Sequence, residues 1–367
     1  MSEKHGGPAT HKTPGEIFGF MKNLLPAHIP GDYTPKPIFA GVASDECIRK
    51  GVVAFRDFML LLFDRLAADW RLYAAPNKVA KGAIDYPFLE SVKSLLINLG
   101  YRGELSEGAD SLAVTDVTSL TPIVDVTGKY KTQRMSAPRL IGCLRFLAAC
   151  GLVFKGVDLA SKASGVIDAP LLAASYPNDP AMLTGLKVIS IAHMDLGLKK
   201  RGNDDVFSRC DYRAIKVEDT DITETLTNFL HPLPEKVRQT ALELHRRYAD
   251  AGLKCEVRNG RQFSYLNKLN IIWSFDASAD EGYLLFIRAK NTDQYPDVIE
   301  RLPLHLQQMI ARGFGCDRKL RGEPCQRGCR GFRIPMDDAL PEICEDIKTW
   351  LDSEASCLRT DKKPVAV

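Results

Sequence analysis

The clearest structural signal in the chain is the stretch Ser136-Ala137-Pro138-Arg139-Leu140-Ile141-Gly142-Cys143-Leu144-Arg145-Phe146-Leu147-Ala148-Ala149-Cys150-Gly151. Pro138 stands where the first turn of a helix accepts proline, and Gly151 stands just past the end, where glycine is preferred. The short apolar segment Leu152–Val157 follows directly. The stretch therefore predicts a helix, a tight turn and a strand.

A second copy of this pattern lies fifty-one residues earlier in the chain. Pro87 is predicted to begin a helix and Gly100 to end it, at the same thirteen-residue spacing, and Tyr101–Leu105 follows as the strand. We interpret the two copies as tandem helix–wing units of a winged-helix-like region. The alternative is that proline and glycine only mark the ends of two unrelated helices.

The predicted fold class is α+β, with a mostly helical N-terminal region and a smaller C-terminal domain. Ser44 or Asp45 is predicted to cap a long helix that runs to about Tyr73, because apolar residues recur there at the helical period. Asn259-Gly260 predicts a hairpin of two antiparallel strands in the C-terminal part. The predicted boundaries are an extended N-terminal arm at 1–43, a helical, winged-helix-like region at 44–217, a linker at 218–229, an α+β domain with a cysteine-rich loop at 230–353, and a flexible tail at 354–367.

The composition is that of an ordinary globular protein. The chain has 367 residues, of which 45% are hydrophobic and 26% charged, and its net charge of +3 is too small to indicate a nucleic-acid partner by itself. The longest apolar run, Phe58–Phe63, is too short to cross a bilayer, and the N-terminus lacks the apolar core of a signal peptide. We therefore expect a cytoplasmic protein with reduced thiols and no membrane partner.

Three cysteines lie close together in a segment rich in arginine, proline and glycine: Cys316, Cys325 and Cys329. Turns at the prolines and glycines are expected to bring the three sulfurs together. Structural zinc takes four tetrahedral nitrogen or sulfur ligands, so we predict a zinc site with Cys344 as the fourth ligand and Cys255 as the alternative. The spacing differs from that of paired CxxC motifs, so a disulfide or redox pair, free thiols and an iron–sulfur cluster stay open as alternatives.

A second candidate site is the basic segment that precedes the helix at Pro138. Its cationic residues surround an aromatic one, Tyr130, and such a layout suits contacts with nucleic-acid phosphates. The predicted contact residues are Lys129, Lys131, Arg134 and Arg139. The alternative is a basic loop that only faces solvent.

The segment Arg209-Cys210-Asp211-Tyr212-Arg213 is a dense polar cluster. Arg209 and Arg213 are predicted to contact a small anionic ligand, since guanidinium groups bind carboxylates and phosphates through paired hydrogen bonds. The alternative is a structural cluster of salt bridges.

The C-terminal third resembles a small bacterial domain, the YdhG-like domain. The resemblance is carried by Gly282-Tyr283-Leu284-Leu285-Phe286-Ile287, by the helix around Arg301-Leu302-Pro303 and by Gly331-Phe332-Arg333-Ile334-Pro335. With its cysteines, this part is also similar to uncharacterised proteins of anaerobic Firmicutes. The resemblance implies a fold and a bacterial cytoplasm, and it brings no catalytic residues.

Two functions are consistent with these patterns. The first is a non-enzymatic binding or regulatory module that has a structural metal site and contacts nucleic acid. The alternative is an enzyme that acts on a small anionic molecule in a pocket lined by arginine and cysteine. The sequence leaves open whether the chain is an enzyme, because it carries none of the motifs GxxxxGK[ST], GxGxxG, HExxH and GxSxG.

Overall fold

The computed structural model describes residues 13–73, 87–160, 163–196, 205–219, 221–258, 261–279, 281–289, 291–312 and 331–357. Backbone contacts divide the chain into two compact units, Met1–Thr220 (unit 1) and Asp221–Val367 (unit 2). Both units combine helices with antiparallel strands, so the predicted α+β class is confirmed.

Unit 1 is built mainly from helices. Those described are α1 (Pro14–Lys22), α2 (Asp45–Ala68), α3 (Trp70–Tyr73), α4 (Pro87–Arg102), α5 (Ala137–Ala149), α6 (Ala163–Ile167) and α7 (Ala181–Ile191), which continues as a π-helical turn at Ala192–Leu196. The strands are β1 (Glu104–Leu105), β2 (Leu112–Val114), β3 (Pro122–Val124), β4 (Tyr130–Arg134), β5 (Val153–Lys155) and β6 (Leu172–Ser175). Short 3-10 turns lie at Pro37–Phe39, Val117–Leu120 and Tyr212–Ala214.

The helix α7 is the centre of unit 1 and packs against both α2 and α4. It crosses α2 at Gly51 and Gly185, where a Cβ on Gly51 would stand 2.7 Å from the backbone nitrogen of Gly185. The backbones of the two helices are therefore in direct contact, which side chains at these positions would prevent.

Both helix–strand pairs predicted from the sequence are present, and a single sheet joins them. Each helix is followed by a strand and then by a second strand that pairs with it, β1 with β2 and β5 with β6. The second strands, β2 and β6, pair with each other, which gives the antiparallel order β1-β2-β6-β5. The two helix–strand pairs of unit 1 thus contribute strands to the two halves of one sheet, with β2 and β6 in its middle. Their assignment as winged-helix units stays a prediction.

The two predicted glycine stops behave differently. Gly151 ends α5 as predicted: it has φ +99°, and the amides of Gly151 and Leu152 donate to the carbonyls of Ala148 and Leu147 in a Schellman motif. The prediction that Gly100 ends α4 is wrong, because the helix runs on to Arg102. A Cβ on Gly100 would stand 2.6 Å from the carbonyl oxygen of Leu186, so this glycine is needed for the contact with α7.

The described ends of the predicted domains contain helices. The described part of the N-terminal arm contains α1, which packs on α2 and buries Phe18. The predicted linker 218–229 contains most of a helix, α8 (Ile222–Leu230), with Leu226 buried. The first residues of the predicted tail belong to the last helix of unit 2, where Glu354 is buried.

Unit 2 is a five-stranded antiparallel sheet with helices. Its strands, in the order β11-β10-β9-β8-β7, are β7 (Lys254–Arg258), β8 (Gln262–Asn267), β9 (Asn270–Ser278), β10 (Gly282–Ile287) and β11 (Phe332–Pro335). The described helices are α8, α9 (Glu235–Asp250), α10 (Pro296–Ile299), α11 (Leu304–Arg312) and α12 (Cys344–Cys357), with a 3-10 turn at Thr292–Gln294. The predicted turn Asn259-Gly260 lies outside the described residues, and the strands on either side of it pair from Arg258 opposite Gln262 onward.

Candidate functional site

The hairpin of β3 and β4 in unit 1 carries most of the residues predicted to contact nucleic acid. Lys129 directly precedes β4, and Lys131 and Arg134 lie within it. All five residues of β4 are exposed, whereas all three residues of β3 are buried. The hairpin therefore presents one strand to solvent, and we call Lys129–Arg134 the basic strand.

Two buried polar side chains of α4 hold the other strand, β3, in place. The amide nitrogen of Asn98 donates to the carbonyls of Leu120 (3.2 Å) and Pro122 (2.8 Å), and the Ser94 hydroxyl accepts from the amide of Val124 (3.0 Å). These bonds satisfy buried backbone groups of β3 and of the 3-10 turn that precedes it. The basic strand is consequently mounted on a rigid base.

The tip of the hairpin is fixed to the π-helical turn. His193 is 2% exposed, and its Nε2 lies 3.1 Å from the carbonyl oxygen of Asp125. Burial lowers the pKa of His193, so the neutral ring donates this hydrogen bond from Nε2. Gly128 packs in turn on the backbone of the π turn, where an added Cβ would stand 3.2 Å from the Cα of Met194 and closer still to the carbonyl of His193. π-Helical turns at α-helices often lie at functional sites.

An ion pair between Lys93 and Asp205 interacts with His193 of the π-helical turn. The Lys93 ammonium lies 3.0 Å from the Asp205 carboxylate, and the two side chains are 11% and 19% exposed. Burial by itself would raise the pKa of Asp205, but the charge of Lys93 and the nearby His193 outweigh it and lower the pKa to about 2.

This ion pair predicts a specific loss of stability in acid. Since the folded-state pKa of Asp205 lies below that of an unfolded aspartate, the pair stabilises the fold above pH ~4, and this stabilisation disappears as the pH falls through the folded-state value. We expect about 2 kcal/mol of unfolding free energy to be lost in this way between roughly pH 5 and pH 1. Urea unfolding of wild type and Asp205→Asn at a series of pH values measures it. Identical pH dependence of the two proteins would contradict the assignment, and Lys93→Gln should weaken the dependence as well.

The surface of the basic strand contains both free and paired charges. Lys131 forms an ion pair with Glu90 of α4. Within the part of the chain that the structure describes, no carboxylate pairs with Lys129, Arg134 or Arg139. Arg139 is half-buried in the first turn of α5.

An aromatic residue stands among these cations. Tyr130 is 42% exposed, and the guanidinium of Arg102 lies 5.4 Å from its ring centroid. Arg102 also donates a hydrogen bond of 3.1 Å to the Tyr130 hydroxyl, so the ring is held in one position. Beside it, the Tyr101 hydroxyl donates to Asp195 at 2.8 Å.

Sequence reasoning missed the residues that support the basic strand. Glu90, Arg102 and His193 approach it from elements distant in sequence, so no local pattern shows them. Ser94 and Asn98 did give a signal, because they are polar residues four positions apart with the apolar run Leu95–Ile97 between them. Such residues often bond to buried backbone groups.

The predicted anion cluster at Arg209 and Arg213 contains a salt bridge. The guanidinium of Arg213 makes two hydrogen bonds to the carboxylate of Asp211, one of them 2.6 Å from Nε to Oδ1. Both side chains are buried. Burial alone would raise the pKa of Asp211, but Arg213 and Arg209 outweigh it and hold the pKa below its usual range. The arrangement fits the alternative of a structural salt bridge, because two hydrogen bonds of Arg213 are made to Asp211.

The cysteines predicted to bind zinc are only partly described. Cys316, Cys325 and Cys329 lie outside the described residues, whereas Cys344 begins α12 with its side chain 6% exposed. Burial raises the pKa of the Cys344 thiol, although the neighbouring Lys348 opposes this. The alternative ligand Cys255 pairs across the sheet with Tyr265, and burial raises its pKa to about 12. Within the described ranges, no three His, Cys, Asp or Glu side chains are grouped to hold a metal ion.

Comparison with protein-family models, with curated proteins and with solved structures gives no match for this chain. The resemblance of the C-terminal third to the YdhG-like domain therefore stays a prediction. Among the described residues, no helix combines the length and the apolar character needed to cross a bilayer.

Proposed function

We propose that the chain is a non-enzymatic binding module of the bacterial cytoplasm that contacts nucleic acid through its basic strand. One observation carries the proposal: β4 is exposed along its whole length and bears cations, while its partner β3 is buried and anchored. Lys129, Lys131 and Arg134 would contact phosphates, Lys131 after leaving its ion pair with Glu90, and Arg139 of α5 follows them in the chain.

The rigid mounting of the strand favours binding. Lysine and arginine side chains on a fixed strand lose less freedom on binding than the same side chains on a mobile loop. The contribution of each phosphate contact comes largely from the release of condensed counterions, so binding through this strand depends steeply on salt.

The experiment measures the affinity for oligonucleotides at several salt concentrations. We expect Lys129→Gln and Arg134→Gln each to weaken binding and to lower the salt slope by about one unit, because each removes one phosphate contact. Lys254→Gln, an exposed lysine of β7 in unit 2, is the matched control and should leave the slope unchanged. Glu90→Gln should instead strengthen binding, since it releases Lys131 from its ion pair.

These variants change exposed side chains, so stability should vary little. Binding that is absent in the wild type, or that has no salt dependence, would overturn the proposal. Equal slopes for wild type and both basic-strand variants would do so too.

A structural zinc ion is the second part of the proposal. Cys316, Cys325, Cys329 and Cys344 would supply four thiolates, and the ion would stabilise a loop too polar to fold on apolar contacts alone. The buried position of Cys344 suits a closed structural site.

Elemental analysis of protein purified under reducing conditions should find close to one zinc per chain. We expect Cys344→Ser to reduce the content strongly, while Cys47→Ser, at an exposed cysteine of α2, retains it. Less than roughly a tenth of an equivalent of zinc in the wild type would contradict the site.

A further inference from the structure

We infer that the basic strand binds single-stranded rather than duplex nucleic acid, with one base stacked on Tyr130. The inference rests on the proposed function and specifies the form of the nucleic acid. Two observations carry it: the elements that the described part of unit 1 could insert into a DNA groove, and the surroundings of the exposed Tyr130 ring.

Reading duplex DNA requires an element that enters the major groove, usually an α-helix or a two-stranded β-ribbon. The hairpin cannot enter as a ribbon, because β3 is buried along its length and held by Asn98 and Ser94. The helix of the first predicted helix–wing unit, α4, cannot enter the major groove either. Every residue of α4 from Ser91 to Gly100 except Lys93 is buried.

The helix of the second predicted helix–wing unit, α5, has few exposed side chains that could contact a base. Arg145 is its exposed cation, but its guanidinium donates to the carbonyl of Leu159 from both Nε (2.8 Å) and Nη2 (2.5 Å). The remaining exposed positions of α5, Pro138 and Ala149, carry no group that could bond to a base edge. Neither predicted recognition helix therefore presents a set of base-reading side chains.

An exposed strand is suited to an extended polynucleotide chain. All five residues of β4 are exposed, and its pairing with β3 shifts register between Val124 opposite Tyr130 and Pro122 opposite Arg134. Cations stand on both sides of Tyr130 in the chain, at Lys129 and Lys131. They can contact phosphates of a single strand while one of its bases stacks on the aromatic ring.

Tyr130 has the properties of a stacking platform. It is a large aromatic side chain left 42% exposed, and Arg102 fixes it by a hydrogen bond to its hydroxyl. The Arg102 guanidinium lies over the ring, 5.4 Å from its centroid, and adds a positive charge there. Exposed aromatic rings within a basic groove are a recurrent means of binding single strands without sequence preference.

The test compares an oligothymidylate with a mixed-sequence duplex of the same length. We expect the wild type to bind the single strand more tightly, and Tyr130→Leu to weaken that binding about tenfold or more. Tyr130→Phe retains the ring but loses the hydrogen bond from Arg102, so it should bind more tightly than Tyr130→Leu and no more tightly than the wild type. The salt slope should be the same for all three proteins, because the ring contacts no phosphate. Circular dichroism confirms that the variants are folded.

Three outcomes would overturn the inference. Equal or tighter binding of the duplex is the first, and unchanged single-strand binding by Tyr130→Leu is the second; in both, salt-sensitive binding would still support the proposed function. The third is that neither oligonucleotide binds, and this result would overturn the proposed function as well.

Discussion

Replacing Gly185 by alanine is expected to lower the unfolding free energy of unit 1 by about 3 kcal/mol or more. The added Cβ would stand 2.8 Å from the Cβ of Phe55 and closer still to the carbonyl oxygen of Gly51. Because the obstruction is backbone, no rotamer change relieves it, and α7 must move away from α2. Any such movement opens the packing around Ile48, Val52 and Phe55, which are fully buried.

Urea unfolding measures the loss, and hydrogen exchange of the α2 and α7 amides assigns it to unit 1. Gly142→Ala is the matched control, since Gly142 also lies within a helix, α5, but a Cβ there would meet nothing within 4 Å. That change should stabilise the protein by about 0.5–1 kcal/mol, because alanine favours the helix. If Gly185→Ala unfolds within about 0.5 kcal/mol of the wild type, the two backbones are not in contact as described.

Replacing Gly128 by alanine is expected to release the tip of the hairpin and to weaken nucleic-acid binding about tenfold. The residue has φ +77°, which costs an alanine about 1 kcal/mol or more, and its Cβ would strike the carbonyl of His193. The hydrogen bond between His193 and Asp125 then breaks or lengthens. The affinity for nucleic acid falls because only a fraction of the molecules then hold the basic strand in its binding position.

Two measurements check this second prediction. Hydrogen exchange should become faster at the amides of β3 and β4, and the oligonucleotide titration should show the weaker binding. Gly282→Ala is the control for backbone strain alone: Gly282 has φ +76°, and a Cβ there would meet nothing within 4 Å. Wild-type affinity together with wild-type amide protection in Gly128→Ala would contradict the role of the π turn as an anchor.

The elements that the sequence predicts well are those specified by neighbouring residues. The helix α5 is defined by Pro138 and by the Schellman motif at Gly151, and both act within a few residues. Gly100 misleads because its role is set by α7, more than eighty residues later in the chain. The pairing of β2 with β6 is equally remote, and nothing within either segment specifies it.

The candidate site shows the same division. The cations and Tyr130 of the basic strand are visible in the sequence as an interleaved run. Their environment is not, since the ion pair with Glu90 and the contact with Arg102 join residues separated by 41 and 28 positions. The sequence therefore predicts which chemistry is present, and tertiary structure determines which groups are available for it.

The central position of α7 also governs the order in which unit 1 can form during synthesis. The apolar sides of α2 and α4 both pack against it, yet α7 begins only at Ala181. Strand β6, which joins the two halves of the sheet, ends just before it at Ser175. In a nascent chain that has passed α4, the sides of α2 and α4 that face α7 stay uncovered until α7 begins, 79 residues after the end of α4. Unit 1 can fold cooperatively only after this long segment has been synthesised. We therefore expect the emerging N-terminal half to be a substrate for chaperones.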